Sequence, residues 1–552
     1  MNARATLANA AWIAASVPEW GRFRRALHDP LHAQASLLAG YLERNRETAI
    51  GRELGFAAIV AASRRSVDAR REMLDAYRAR APLTTYDRIE PYIQRIRAGE
   101  QNVLTFDRVR RLTPSSGSTA SSKLLPFTSV LQREFSRAVD PWVADLHFGH
   151  PAVAAGRSYW SISPAIPRQS AGSVPIGFDD DSEYLGLARR ALARAVLAVP
   201  DAISRVTDPV SFRYITLAFL ARARDLRLIS LWHPSFLTRL LEPLPEWIPR
   251  IADDIAAGTL SPPGDVPTEV RSALQRNLHP DRRRARELGQ LSTADPRRLW
   301  PELAVVSCWH DGSARAHADR LMTSMPGVAF QGKGLIATEG IVSIPLGGRR
   351  PLAVRSHFFE FMDCGGHSHL AHEIQDGHEY SVVLTTGGGL YRHVLGDRVL
   401  VDGRCGRTPS ITFVGKEDRV SDWFGEKLSD GFVAGVLQRL FADQRAPRFA
   451  MLAPEEVADG VAYTLFVEID CELTDLAPRL ERELRRNVHY AWSVDLRQLR
   501  PARVARVGPN ADRVYVDACV ARGQRLGDVK PASLHCDTSW RAVFEAGGKA
   551  EA

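Results

Sequence analysis

At 552 residues, 45% hydrophobic and 25% charged, the chain has a globular composition and is too long for one ordinary core, so two or three packed units are expected. Its six cysteines are widely spaced with no C-x-x-C pair, which excludes a disulfide framework and points to a reducing cytoplasm. A net charge of +8 would suit an anionic partner, but the densest basic run, Arg282–Arg286, reads as a solvated helical face without interleaved aromatics, which argues against nucleic acid, and no apolar run reaches the roughly 18–20 residues that cross a membrane.

Residues 1–80 read as helices, with apolar residues at three- and four-residue spacing through Leu37–Leu42 and Met73–Tyr77. The alanine-rich start has no clean cleavage site and is a helix, not a signal peptide. Ala81–Thr105 leads to a basic, strand-like run, Asp107–Leu112, and then to Thr113–Thr128, TPSSGSTASSKLLPFT. Ser129 and Gln132 have capping-box spacing, so a helix starts there. Arg157–Ser163 reads as a strand, Tyr184–Val206 as a helix interrupted at Pro200, and Ser211–Asp225 and Ser235–Leu241 as helices. From Leu303 the texture changes to short strands: Ala304–Trp309, Val328–Phe330, Ile341–Pro345 and Tyr380–Thr386. A hairpin is predicted over Leu390–Gly403. Gly415–Asp430 is polar, has no dominant period and reads as a hinge. Beyond it a unit of roughly 120 residues is predicted to be α+β: helix Gly431–Phe441, strand Val461–Asp470, helix Leu480–Trp492 and strand Arg513–Val520. A Gly/Pro-flanked loop then carries Lys530.

The kind of base is informative. Only six of the 72 Lys and Arg residues are lysine: Lys123, Lys333, Lys416, Lys427, Lys530 and Lys549. Lysine is a compact ammonium on a flexible stem, so the few that remain mark places where a point charge is required; drift in base composition would instead leave them at random. Lys123 follows a run of hydroxyl side chains, Ser115, Ser116, Ser118 and Thr119, around Gly117. Such a loop offers N–H and O–H donors to a phosphate. It lacks the G-x-x-x-x-G-K-[ST] spacing of a P-loop, and a Ser/Gly/Thr run can equally be a surface loop. Further along come Thr338-Glu339, Tyr391–Asp397 and Lys530. An enzyme that activates a carboxylate with ATP needs these functions: donors for the β,γ-phosphates, a carboxylate for Mg²⁺, an acid for the ribose hydroxyls, and a cation for the charge developing on the α-phosphate.

Together, SSGSTASSK (115–123), IATEG (336–340), VVLTTGGGLYRHVLGD (382–397) and LGDVKPASL (526–534) resemble the Gretchen Hagen 3 family of acyl acid amido synthetases, within the adenylate-forming superfamily. The resemblance runs from about Pro82 to Trp540 and implies an α/β fold. A large N-terminal multi-sheet adenylate-forming domain, 1–415, would carry ATP and the acyl substrate. A hinge, 416–430, would join it to a small mobile α+β C-terminal domain, 431–552. The cofactors implied are ATP and Mg²⁺. Ser115, Ser116, Gly117, Ser118, Thr119 and Lys123 would hold the phosphates, Thr338 the α-phosphate and Glu339 the Mg²⁺. Asp397 would bind ribose, with Tyr391 and Lys416 also at the nucleotide. Lys530 would catalyse adenylation from the C-terminal domain, which would pivot at Lys416 to Arg419. The implied reaction makes an acyl-adenylate and pyrophosphate from a small carboxylic acid; an amine, an amino acid above all, then displaces AMP. No protein nucleophile is needed, and G-x-S-x-G is absent. Two positions depart from the family: Ala120, where relatives often have glycine, and Lys416, where superfamily relatives often have arginine. Coenzyme A as acceptor, or a non-catalytic ligand-binding relative, are the alternatives; the presence of Lys123, Glu339, Asp397 and Lys530 argues against the latter.

Two further stretches carry open readings. Ser356–Tyr380 holds His357, Cys364, His367, His369, His372 and His378. Its spacing lacks the H-E-x-x-H pair of a zinc site, so it reads as a loop near the active site with solvent-facing or substrate-contacting histidines. Trp232, His233, Pro234 and Phe236 could line an acyl pocket or form ordinary core at a helix start. Gln331–Gly334 could pass near adenine or make a tight turn.

Overall fold

Polar side chains set where the N-terminal helices begin. Asn2 Oδ1 accepts the Ala5 amide (3.2 Å) ahead of helix Ala3–Ala26, and Asp29 accepts the His32 amide (3.2 Å) ahead of Pro30–Asn45. This computed structural model describes residues 2–63, 69–114, 123–161, 174–177, 187–291, 295–416, 420–421, 423–424, 426–442, 446–458, 460–470, 475–495, 498–522, 524 and 529–549. Helices Phe56–Ser63, Ala69–Arg80 and Tyr86–Arg97 continue the helical start, burying Phe56, Tyr77 and Ile93 with Phe358 and Tyr391. Strands Arg111–Pro114 and Leu124–Phe127 pair antiparallel, with Pro114 opposite Leu124, so the chain leaves and re-enters this ribbon at adjacent points around the hydroxyl-rich stretch. Helix Ser129–Gly149 follows. Its cap is Thr128, whose Oγ1 accepts the Leu131 amide at 3.1 Å, one residue ahead of the predicted capping box.

Two sheets share a core. Strands Arg157–Trp160, Leu226–Ser230, Val305–Cys308 and Ala329–Gly332 form a parallel sheet in that order. Both of its faces are covered, as parallel sheets require. Ile229 and Val306 face a layer containing Leu237, Ile251 and Trp300. Leu228 and Val305 face Phe127, Trp142, Phe359 and Val382. Phe359 and Val382 belong to a five-stranded antiparallel sheet, ordered Thr408–Lys416, His393–Cys405, Glu379–Thr385, Phe358–Met362 and Ser368–Leu370. The predicted hairpin over Leu390–Gly403 is corrected here. His393–Cys405 is one continuous strand, and Gly396 (φ 74°) is not a hairpin turn but part of a bulge in which Leu395–Asp397 oppose the single residue Val382. Ile341–Pro345 contributes bridges, Ile336 to Ile341 and Ser343 to Leu352, not a full strand.

The last part of the chain builds on strands Phe449–Val457, Gly460–Glu468 and Leu499–Arg506. Helices Asp430–Leu440, Leu476–Leu484 and Val488–Asp495 cover one face through Val433, Leu480 and Tyr490. Helices Ala511–Ala521 and Trp540–Lys549 cover the other through Tyr515, Trp540 and Phe544. Two predictions fail in this part. Arg513–Val520 is helical, because Ala511, Tyr515, Val516 and Cys519 recur at helical spacing and are the buried ones. Leu480–Trp492 is split in two, because Asn487 Oδ1 accepts the amides of His489 (2.9 Å) and Tyr490 (3.1 Å) and starts a new helix. The stretch read as a hinge is structured in its second half. Val420–Ser421 pairs with Leu428–Ser429, and the buried Glu426 accepts the Trp423 and Phe424 amides (2.9 and 2.8 Å) and the Tyr463 hydroxyl (2.5 Å). Among the described residues, no helix is long and apolar enough to cross a membrane.

Candidate functional site

Thr338 and Glu339 form the tip of a two-residue turn. Ile336 bridges Ile341, and Ala337 and Gly340 exchange backbone hydrogen bonds (3.0 and 3.3 Å). Gly340 has to be glycine, because a Cβ there would lie 2.8 Å from Nε2 of the fully buried His357. His357 Nδ1 lies 3.1 Å from Glu134 Oε2, and Glu134 also accepts the Gly387 amide (3.2 and 3.0 Å). A buried carboxylate from helix Ser129–Gly149 thus fixes both the back of the Thr338-Glu339 turn and the start of the GGG run. Glu134 was not legible in the sequence. His357 had been read as part of a solvent-facing or substrate-contacting loop; it is instead core, held by a partner 223 residues away.

The bulge aims Asp397 at the neighbouring strand, where it sits directly opposite Lys416. Asp397 is buried, and its Oδ1 lies 2.6 Å from Lys416 Nζ. Glu339 is half-buried, and enclosure of its carboxyl pushes its pKa up; Asp397 adds to this, while Lys416 and Lys123 pull it down. Three charged groups that lie far apart in sequence, Lys123, Asp397 and Lys416, therefore bear on the Glu339 carboxyl. Lys123 stands over the Tyr86 ring (5.9 Å), and its charge adds to the burial that holds His393 at about 4. Ser115, Ser116, Gly117, Ser118 and Thr119 lie outside the described residues. Arg419 does so too.

Tyr391 requires a correction. Its ring is buried against Phe56 (4.9 Å between centroids), and its hydroxyl donates to the Leu104 carbonyl (3.0 Å). The side chain packs the core instead of facing a nucleotide. Its neighbour Arg392, not singled out from sequence, holds the loop: at φ 46° it donates two hydrogen bonds to Glu360 (2.9 Å each), two to the carbonyls of Arg78 and Ala81, and one to Ser368.

Lys530 reaches the large body from the far end of the chain. The segment after it is clamped: Asp430 Oδ1 accepts the Ser533 and Leu534 amides (2.9 Å each), and Leu534 bridges Leu452. The exposed ammonium stands 5.6 Å from the Trp309 ring centre. Trp309 follows strand Val305–Cys308 and packs on Phe413 (5.3 Å) of the strand that ends at Lys416. The same seam holds the Arg239–Asp512 ion pair (2.7 Å) and a hydrogen bond from Arg320 to the Pro447 carbonyl. His233 and Phe236 take the plain reading. His233 caps helix Pro234–Leu241 by accepting the Ser235 amide (3.2 Å), and Phe236 packs on the core. Trp232 is exposed, at 44%. Gly334 allows a close backbone approach, since a Cβ there would meet the Ser343 carbonyl at 2.0 Å.

Among the described residues, no cluster of three or more His, Cys, Asp or Glu could hold a metal. His369 and His367 turn instead to Asp363, at 2.9 and 3.5 Å. Glu339, with Asp397 nearby and two ammonium groups around them, is a poor cage but a good fit for Mg²⁺ that arrives on a nucleotide, since Mg²⁺ typically takes one or two carboxylates plus phosphate oxygens.

A parallel sheet packed on an antiparallel one, followed by a three-stranded α+β unit, is a fold shared with solved acyl acid amido synthetases. The GH3 family N-terminal domain matches residues 20–330, and the GH3 family central domain matches 351–416. The chain belongs to the GH3 family, and its class is that of the acyl acid amido synthetases, ligases that adenylate a carboxylic acid and pass the acyl group to an amine. It is 25% identical over 71% of its length to a probable indole-3-acetic acid-amido synthetase of Oryza sativa subsp. japonica, covering 70% of that protein. It is 24% identical to a jasmonoyl–L-amino acid synthetase of Nicotiana attenuata, covering 71% of this chain and 73% of that one. In structure it is similar to the AtGH3.15 acyl acid amido synthetase in complex with 2,4-DB: TM-score 0.82, 18% identity, 97% of this chain and 96% of that one.

Proposed function

We propose that the chain uses ATP to adenylate a small carboxylic acid and then transfers the acyl group to an amine, an amino acid foremost. One observation carries this reading: the strand bulge sets a buried Asp397 opposite Lys416 at 2.6 Å, and their charges, with that of Lys123, bear on the Glu339 carboxyl. In the first step a substrate carboxylate oxygen attacks the α-phosphorus, and the bond to pyrophosphate breaks. In the second the amine attacks the acyl carbon, the bond to AMP breaks, and the amine gives up a proton. Ser115, Ser116, Gly117, Ser118, Thr119 and Lys123 hold the β,γ-phosphates; Thr338 donates to the α-phosphate. Glu339 would hold Mg²⁺, which supplies charge neutralisation between phosphate oxygens. Asp397, oriented by Lys416, accepts the ribose hydroxyls. Lys530 meets the charge that develops on the α-phosphate in the transition state.

Residues 1–415 form the ATP and acyl domain and 431–552 the mobile one. The pairing of Val420–Ser421 with Leu428–Ser429 favours a pivot ahead of it, near Lys416 to Arg419, within the 416–430 connection. The cysteine pattern favours the cytoplasm, and the dispersed basic charge favours neither nucleic acid nor membrane as a partner. The test is pyrophosphate release across a panel of carboxylic acids, followed by mass spectrometry with pooled amino acids and, separately, coenzyme A. An amide product is expected. A thioester alone would replace the acceptor, and no release from any acid would overturn the reading.

A further inference from the structure

The carboxyl ends of parallel strands are where open α/β sheets bind ligands. At that edge the chain buries a lysine. Lys333, just past strand Ala329–Gly332, is 7% exposed. Its Nζ donates to Ser230 Oγ (2.7 Å) at the end of the Leu226–Ser230 strand, across the intervening Val305–Cys308 strand. The same ammonium lies 4.9 Å from the Trp142 ring centre and 5.5 Å from that of Trp232. Among the described residues no carboxylate pairs with it, and the nearby Cys308 thiol, raised to about 11 by its own burial, is uncharged near neutral pH and supplies no counter-charge. An ammonium has three donors. Here one reaches a hydroxyl, and the rest of the charge faces two indoles.

The surroundings are built, not accidental. Trp142 Nε1 donates to Gln331 Oε1 (2.7 Å), which also accepts Ser307 Oγ (3.2 Å), so the indole that flanks the ammonium is held in place from two strands. Trp232, on the other side, is itself 44% exposed. Lys333 lies five residues before Thr338, so the two backbones are at most about 18 Å apart.

We infer that Lys333 is a specificity-determining residue of the acyl site, and that the acid this ligase activates is planar and carries a second oxygen acceptor, a hydroxyl or a carboxylate, at the end remote from the reacting carboxylate. The inference rests on the ligase reading above. The indoles favour a flat ring, and a buried cation without an anion favours a ligand that supplies the acceptor. An acid with only hydrocarbon at that end would leave the donors of Lys333 unpaired, which is how sites reject analogues lacking a polar group.

The test compares phenylacetate derivatives matched in size, with a 4-hydroxyl, a 4-carboxyl or a 4-methyl group, by pyrophosphate release and by calorimetric binding. Wild type should prefer one of the two oxygen-bearing acids over the methyl acid by about 10–100-fold in kcat/KM, and the better of the two identifies the acceptor. Lys333→Met should lose that preference, its kcat/KM on the oxygen-bearing acid falling about 10–100-fold toward that on the methyl acid, with binding by calorimetry following the same pattern. Equal use of all three by wild type overturns the inference alone. So does a Lys333→Met enzyme that falls equally on all three, since Lys333 would then be scaffold. Release from none, in a folded protein that also fails across a wide acid panel, overturns the ligase reading and this one with it.

Discussion

Two cations are buried almost equally in this molecule and are treated in opposite ways. Arg392 is 6% exposed and Lys333 is 7% exposed. Arg392 spends its donors on the Glu360 carboxylate, two carbonyls and a hydroxyl. Lys333 has one hydroxyl and two ring faces. A buried charge whose donors are all used belongs to the scaffold. One that is buried at a sheet's ligand edge with donors to spare belongs to a site. Glu360 and Glu339 differ in the same way among the acids: the first is buried and locked to Arg392, whereas the second is half-buried and feels the charges of Lys416 and Lys123.

The largest expected effect is on the scaffold side. Arg392→Met leaves Glu360, 1% exposed, with only the more distant Arg78 at 3.8 Å as a cation partner among the described residues. Breaking a buried pair on one side costs about 3–5 kcal/mol. Denaturant unfolding should show that loss, and Arg392→Met with Glu360→Met should recover much of it. An unchanged midpoint for the single variant would mean that the pair does not hold this loop.

Lys530→Ala tests a site charge instead. Adenylate formation should fall by about 10²–10³-fold, the range for removing one preorganised donor, with little change in ATP affinity or melting. Transfer from a chemically supplied acyl-adenylate should survive. Loss of both half-reactions together would make Lys530 structural. A smaller effect is expected at the ribose: Asp397→Ala should weaken ATP by about 1.5–3 kcal/mol. Against 2′- and 3′-deoxy ATP the variant should lose little more. If variant and wild type lose equally on the deoxy nucleotides, Asp397 is not the ribose contact.

What could be read from sequence follows the range of each interaction. Thr338 and Glu339 were picked out because IATEG is a contiguous motif, whereas the turn that presents them is seen only in the fold. Asp397 and Lys416 were each legible from motif, and the strand register then sets them side by side. Glu134 with His357, Arg392 with Glu360 and Lys333 with Ser230 were not, because only the packing of distant strands and helices brings them together. Local pattern also misled where two periods compete. RVYVDACV alternates like a strand, yet its buried residues follow a helix once the sheet offers a flat face to cover. LYRHVLGD suggested a turn because it holds Gly396, and in the fold the glycine makes a bulge within a longer strand.

The smallest effect sharpens the comparison most, because it has the opposite sign. If Arg392 is satisfied and Lys333 is not, removing the lysine's charge should stabilise the unliganded protein. Burial holds Lys333 at about 8, below the ordinary 10.5. An ammonium in that position costs folding free energy, so Lys333→Met, similar in length and apolar, should gain on the order of 1 kcal/mol after the lost Ser230 and indole contacts are subtracted. The pH dependence has a definite sense. Below about 8 both folded and unfolded lysine are charged, and the cost is fully present. Between about 8 and 10.5 the unfolded chain binds the proton and the folded one does not, so wild-type stability rises with pH and approaches that of the variant. Cys308, at about 11, stays a thiol over most of this window. The difference in unfolding free energy between Lys333→Met and wild type should therefore be largest near pH 7 and shrink toward pH 10. A difference that is flat over that range, or a variant less stable than wild type at pH 7, would mean that the buried lysine is as well satisfied as Arg392, and the contrast between the two cations would fail.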